Sequence, residues 1–352
     1  MGITKNNSNM DRDSLPTIID VIEENIVVEI PGNSVEHLHP SFSSLMFGVV
    51  PEEKYTINAV NGNTKLLPGG RRIRLYRGQN RDYNPSMPSL YRKGIATDKF
   101  IIQNLKRFEF INLLKSHPVL CYLSEKKGLY IDYMAIAQHY GFWTDLMDIT
   151  YDIWAAAFFA TTQYHEETDS YSPIDENFED GIGVLYIAKH RVDETAKQDR
   201  VIPLGYNFFP RPVAQMASTY RMMKDEDFND VELFDKIYFR QDKQSSNIVF
   251  AMSCMQKKYF PPDPLADKAK EIKMSNYICQ KSIDDFVTSE WCSVSQEIIN
   301  ELLRINSIKC TSESYVQFDK QYKNDVFQQW KLEWLQDEKG GIIPPLMMSC
   351  RG

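Results

Sequence analysis

The 352-residue chain contains no run approaching the roughly 20 consecutive apolar residues that a membrane-spanning helix needs. It has no GxSxG elbow, no Walker-type GxxxxGKS/T loop, no GxGxxG, no HExxH and no calcium-binding loop. The common hydrolase, nucleoside-triphosphatase and metalloprotease chemistries are therefore without motif support. Six cysteines are present, but none falls into CxxC spacing or beside a histidine, so neither a zinc knuckle nor a disulfide framework is signalled. An excess of positive charge is lacking too. The 40 Lys and Arg face 48 Asp and Glu, a net charge of -8, which argues against a general affinity for nucleic acid or anionic lipid. The opening MGITKNNSNMDRD carries no apolar signal-like run, and the expectation is a cytoplasmic protein without a membrane partner. Hydrophobic residues make up 43% of the chain, ample for a core in one large domain or two ordinary ones.

Residues 1–15 are polar and are expected to be disordered. Residues 16–72 read as a β-rich lead-in: ENIVVEI has the look of a strand, and KYTINAV and TKLL flank Asn61-Gly62-Asn63 as hairpin strands would. His37 and His39 in HLHP would share one face of a strand and could suit a metal; a surface turn before Pro40 is the plainer reading. The segment RRIRLYRGQ alternates as a strand and carries Arg77 into a Gly-containing turn with Gln79. An Arg at a strand end beside a Gly suits a bidentate grip on phosphate or carboxylate, and equally a salt bridge. Residues 97–117 have the spacing of an amphipathic helix through Phe100, Leu105, Phe108, Ile111 and Leu114.

The stretch from Tyr130 to Ala160 is the densest in candidate chemistry. Tyr130, Tyr133, Met134, Ala137 and Tyr140 have helical spacing, Gly141 is a left-handed stop, and Gln138 and His139 occupy the last turn. Asp152 is placed as the N-cap of a second helix, IWAAAFFA, apolar all round and so expected to be buried. Between the two lie Thr144, Asp145, Asp148 and Thr150 on a strand. Polar groups clamped between apolar elements must find partners, and a ligand is one such partner. Farther on, the acidic run from Glu166 to Asp180 reads as a solvated loop, GIGVLYIA as a buried strand, and Arg211 and Gln215 lie among apolar residues. From about residue 225 the chain turns toward helices, among them SVSQEIINELLRI and FDKQYKNDVFQQWKLEWLQD. The PPDP run at Pro261–Pro264 is the candidate flexible joint, and residues 341–352 form a tail.

Tyr76-Arg77-Gly78-Gln79, the Pro85–Arg92 loop, Gln138-His139-Tyr140-Gly141, then Thr144, Asp148, Thr150 and Ala157-Phe158-Phe159-Ala160 together resemble the FRG domain family. That family is named for its aromatic-Arg-Gly start and carries a later QHYG-type block. The resemblance places an FRG domain at 73–225, ahead of a mainly helical part at 226–340. It also pairs an Arg with a Gln four residues on, as Arg211 and Gln215 stand here. The chain departs from the pattern at Tyr76 for Phe, Asp145 for Arg, Ile149 for Trp and Ala217 for Gly. Asp145 reverses a charge.

The element order is similar to that of ADP-ribosyltransferases, which implies an α+β fold, a small mixed sheet flanked by helices. By that analogy Arg77 would hold the diphosphate or ribose of NAD, Thr150 would support the ribose and Gln215 would occupy the late catalytic position. An amide stabilises an oxocarbenium ion poorly, so Asp148 is the better catalytic candidate, with His139 as acid or base. Arg77, Gln79, Thr144, Thr150 and Arg211 are then the ligand-binding set, NAD is the candidate substrate, and no metal is called for. Two readings stay open. One is a nucleotide-binding FRG protein performing ADP-ribosyl transfer or NAD cleavage, in a toxin or phage-defence setting. The other is a non-catalytic module with a buried polar network and a partner protein on its C-terminal helices.

Overall fold

The computed structural model describes residues 11–25, 55–60, 63–68, 74–126, 130–189, 200–204 and 209–333. Helix α1 (Ile18–Asn25) precedes the hairpin β1 (Tyr55–Val60) and β2 (Asn63–Pro68), paired antiparallel from Tyr55 with Pro68 to Val60 with Asn63. Then follow β3 (Tyr76–Gln79), α2 (Thr97–Lys115), α3 (Pro118–Cys121), α4 (Tyr133–His139), β4 (Leu146–Thr150) and α5 (Ile153–Ala160). A hairpin of β5 (Thr162–His165) and β6 (Ser170–Pro173) leads to β7 (Ile182–Ala188), β8 (Val201–Pro203), α6 (Pro210–Ala214), β9 (Ala217–Arg221) and β10 (Phe234–Arg240). The rest is α7 (Lys243–Met252), α8 (Pro264–Met274), β11 (Tyr277–Cys279), α9 (Gln280–Val287), α10 (Gln296–Ile305), β12 (Lys309–Thr311) and α11 (Lys320–Glu333). The fold is α+β. Its centre is a six-stranded antiparallel sheet in the order β10-β7-β3-β4-β9-β8. None of the described helices is long and apolar enough to cross a membrane.

Strand alternation sorts the side chains. Leu75, Met147, Ile149, Val184 and Tyr186 face one side with Tyr220, Phe228 and Phe234. Tyr76, Leu185 and Ile187 face the other side, against α5, α1 and Val249 of α7. On that same side Leu146 and Ala217 join α2, α3, α4 and α8 in a second core. A fourth cluster packs the outer side of α2 on α9 and α10.

Helix α5 is apolar on every side because every side is covered: seven of its eight residues are buried, and Asp152 caps it by accepting from the Trp154 N–H at 2.9 Å. It lies directly on β3. A Cβ added at Gly78 would stand 1.8 Å from the Ala156 carbonyl oxygen and 2.9 Å from the Ala160 Cβ, so only hydrogen fits there. Gly141 adopts φ +74°, the left-handed stop read from the sequence. The ladder between the two central strands is one pair long, Tyr76 with Thr150. Beyond it the loop after β3 takes over, with the Leu90 N–H donating to Thr144 O (3.2 Å) and the Thr144 N–H donating to Ser89 Oγ (3.2 Å).

Several expectations are revised. The strand expected in ENIVVEI falls outside the described residues beyond Asn25, and its first residues belong to α1. His37 and His39 also lie outside the described residues. Strand β10, which pairs with β7 over seven positions, was hidden by a sequence, FDKIYFR, that does not alternate cleanly. The PPDP run is not a free joint: Asp263 is buried, caps α8 through the Leu265 N–H at 2.9 Å, and puts Pro264 at the first helical position.

Two outcomes follow. Gly78→Ala is expected to lower stability by about 2–3 kcal/mol, as overpacking does, measured as a reduced urea midpoint; an unchanged midpoint would mean α5 can move off β3 freely. His117, buried among Phe209, Phe318 and Tyr322, has its pKa pushed from 6.5 down to about 3, chiefly by burial and then by the Lys323 charge. Between those values the unfolded chain binds the proton and the folded chain does not, so stability falls as pH falls through 6.5 toward 3. The slope should reach at most about 1.4 kcal/mol per pH unit and should flatten in His117→Asn, as read by denaturant melts across that window.

Candidate functional site

On the helical side of the sheet, α4 ends beside the middle of β4. Gln138 and His139, adjacent on the last turn of α4, both reach Asp148. The Gln138 amide Nε2–H donates to Asp148 Oδ2 at 3.1 Å, and its Oε1 accepts from the Thr144 hydroxyl. His139 Nε2 lies 3.6 Å from Asp148 Oδ1. The imidazole is 4% exposed and the carboxylate side chain 47%, so solvent reaches the pair from the Asp148 side.

The other ring nitrogen faces a side-chain oxygen. Gln215, which follows α6, donates through Nε2 to the Tyr259 carbonyl at 3.1 Å, which turns its Oε1 toward His139 Nδ1 at 3.4 Å. An oxygen there requires the proton on Nδ1. Neither His139 Nε2 nor Asp148 Oδ1 has a hydrogen-bond partner, although both atoms are buried.

Arg211 supplies the positive charge on this side. Its guanidinium lies over the rings of Tyr140 (5.6 Å) and Phe260 (5.1 Å), and its buried Nε has no partner. The segment after β10 completes the wall. Asp263 accepts from the Tyr140 hydroxyl (2.6 Å) and the Arg211 backbone N–H (3.2 Å), and Lys273 donates to the Tyr140 carbonyl. Burial, then the Arg211 charge, pulls the Lys273 pKa down to about 8. Gln138, Tyr259, Asp263 and Lys273 were not among the residues expected at the site. An Asp-Pro pair is a helix-start signal that the joint reading of PPDP passed over, and nothing in the sequence shows that Asp263 would meet Tyr140.

The remaining candidates are placed differently. Thr150 is buried, its hydroxyl donating to Gln215 O (2.6 Å) and accepting from the Asp152 N–H (2.9 Å). Thr144 is buried between Gln138 and the Leu146 N–H. Both hydroxyls hold the site's own elements together. Arg77 and Gln79 occupy the opposite side of the sheet, since alternation puts them with Leu75 rather than Tyr76. Gln79 donates to Ser86 Oγ (2.6 Å) and accepts from the Tyr186 hydroxyl (3.2 Å). The Arg77 guanidinium packs over Phe228 at 5.5 Å, and its NH1 donates to the Asp148 backbone carbonyl at 2.7 Å. It satisfies that carbonyl where the β3–β4 ladder has already ended. Burial lowers the Arg77 pKa and the Asp148 charge opposes the shift. Arg77 thus touches Asp148 from behind, through the backbone.

Asp145 stands at the entry to β4, buried, 3.4 Å from Arg221 Nε. Arg221 also donates to Asp132 at 2.9 Å. The fully buried Arg107, whose NH1 donates to Trp143 O at 2.8 Å, acts on the same carboxylate. Burial raises the Asp145 pKa and the Arg221 charge pulls it back. Arg107 is brought down to about 10 by burial, which leaves it charged at neutral pH. Asp145 is the carboxylate between two arginines. Among the described residues no group of three or more His, Cys, Asp or Glu is arranged to hold a metal ion, and the described cysteines are unbonded.

Residues 72–169 match the family model of the FRG domain. No curated protein and no solved structure matches the chain.

The Asp145 cluster gives a direct expectation. Asp145→Arg would put a third guanidinium beside Arg107 and Arg221 in a buried place and should cost about 3–5 kcal/mol, seen as a large fall in melting temperature. A variant as stable as the parent would mean that the two arginines do not need this carboxylate.

Proposed function

The chain carries an FRG domain at residues 72–169, and from that premise we propose that it binds a nucleotide-like anionic ligand on the helical side of its sheet and cleaves or transfers the ADP-ribosyl group of NAD there. The observation that supports this is the His139–Asp148 pair, with its facing buried Nε2 and Oδ1 atoms unpartnered and the unpartnered Nε of Arg211 on the same side of the sheet. Buried polar atoms nearly always have partners, and those left without one in the folded chain are suited to a ligand.

The chemistry assigned to each residue follows from its position. Water, or an acceptor hydroxyl, attacks the anomeric carbon of the nicotinamide ribose. The new C–O bond forms as the C–N bond breaks, and its electron pair passes to the pyridinium nitrogen, releasing neutral nicotinamide. The proton of the attacking O–H goes to the His139–Asp148 pair. The carboxylate of Asp148, the solvent-reached member, stabilises the oxocarbenium charge as it develops. Gln215 and Gln138 orient that pair and do not react themselves. Arg211 takes the phosphate charge. Arg77, behind the sheet, is a positioning residue that fixes the Asp148 backbone and so takes a different role from the diphosphate contact expected of it. Consumption of NAD would suit a toxin or phage-defence setting.

Full-length protein incubated with NAD should release nicotinamide, and Asp148→Asn, which keeps the shape and half-exposed position of the side chain, should lower that release by about 100-fold or more while leaving the melting temperature near that of the parent. Absence of release from folded parent protein, with no NAD-induced rise in melting temperature, would overturn the proposal. It would favour the non-catalytic reading, in which the buried ties of Thr144, Thr150 and Gln79 are the purpose of the network.

A further inference from the structure

Beside Arg211 a set of aromatic rings packs on the buried Phe158 at the rim of the core. Tyr164 on β5 and Tyr171 on β6 face each other with centroids 5.0 Å apart, and Tyr171 stacks on Phe260 at 5.0 Å and 27°. Phe159 meets both Tyr171 and Phe260 edge-on, at 5.9 and 6.2 Å. These rings grade outward: Tyr171, Phe260 and Phe159 are partly exposed, and Tyr164 is 46% exposed. The Arg211 guanidinium lies on the Phe260 face and, on its other flank, over Tyr140, the neighbour of His139.

The backbone that presents Phe260 is strained. Cys254, Met255 and Gln256 take φ values of 51°, 52° and 71°, three successive non-glycine residues in the left-handed region. The turn aims Gln256 Oε1 at the Tyr171 N–H, 2.7 Å away, and so fastens the β5–β6 hairpin to the segment carrying Tyr259 and Phe260. Strain of this kind gathers where a ligand must be met in a fixed geometry. An exposed tyrosine ring backed by further rings, with a guanidinium in the same cluster, has the two features by which proteins hold a nucleotide, a π-face for the base and a positive group for the phosphate.

We propose that Tyr164, backed by Tyr171 and Phe260, forms a base-stacking subsite that binds the heteroaromatic ring of a nucleotide whose phosphate lies on Arg211. The inference rests on the nucleotide-binding reading of the His139–Asp148 site and assigns the part of the ligand that reading leaves open. Stacking on an exposed tyrosine contributes to affinity for ring-bearing ligands alone, so it is separable from recognition of phosphate. Equilibrium binding of ADP and of ribose 5-phosphate to the full-length protein measures both.

ADP is expected to bind at least roughly ten-fold more tightly than ribose 5-phosphate. Tyr164→Leu should remove most of that difference without changing ribose 5-phosphate binding, and Tyr164→Phe should retain it. The Phe variant also tests whether the Tyr164 hydroxyl bond to Asp169, 2.9 Å, matters to the fold rather than the ligand. Equal affinities for the two ligands, or an ADP affinity untouched in folded Tyr164→Leu, would refute the subsite while leaving the phosphate-binding reading intact. Binding of neither ligand to folded parent protein would overturn both.

Discussion

The contact on which the arrangement depends is the approach of α5 to β3 at Gly78. With a hydrogen in place of a side chain, the Ala156 carbonyl and the Ala160 methyl come down onto the strand, and the helix can bury seven of its eight residues. Close packing of this kind is intolerant of an added methyl group, so the aromatic-Arg-Gly sequence is a packing requirement before it is anything else. The helix in turn determines where β4 ends, because Asp152 both caps α5 and receives the Tyr259 hydroxyl at 3.2 Å. Two residues earlier Thr150 ties β4 to Gln215. The position of the candidate site is set by these few junctions.

Polar groups around β4 divide into those satisfied by the protein and those left open. Thr144, Thr150, Gln138 and Gln215 make bonds that lock the ends of α4 and α6 to the strand. Among the buried atoms left open are His139 Nε2, Asp148 Oδ1 and Arg211 Nε on the helical side; Arg77 Nε behind the sheet and Thr219 Oγ1 on β9 are open as well. An unpaired buried polar atom lowers stability by about 1–3 kcal/mol, and a ligand that pairs it removes that cost.

The site also depends on chain outside the FRG match. Tyr259, Asp263 and Lys273 come from the segment after β10, and each meets a residue of the α4–α6 region. The charge reversal at Asp145 is accommodated in the same way, by Arg221 from β9 and Arg107 from α2. A family pattern read along the chain cannot register such compensation, because the compensating residues lie 76 and 38 positions away from Asp145.

Much of the local structure was legible from residue order. The stop at Gly141, the cap at Asp152, the all-apolar helix after it, the strand at 182–188 and the helix from Thr97 follow from periodicity and from φ preferences that act over a few residues, whereas the burial of the Thr97 helix on two sides does not. The FRG blocks were legible for the same reason, as short ordered strings. Tertiary structure alone decided which candidates meet. Whether Arg77 and Asp148 share a face depends on the register of β3 against β4 and on the end of their ladder after one pair. The partners of Gln215, Tyr140 and Asp145 depend on contacts across scores of residues, which no local preference encodes. The chemistry of the groups was written in the sequence; their distances were set by packing.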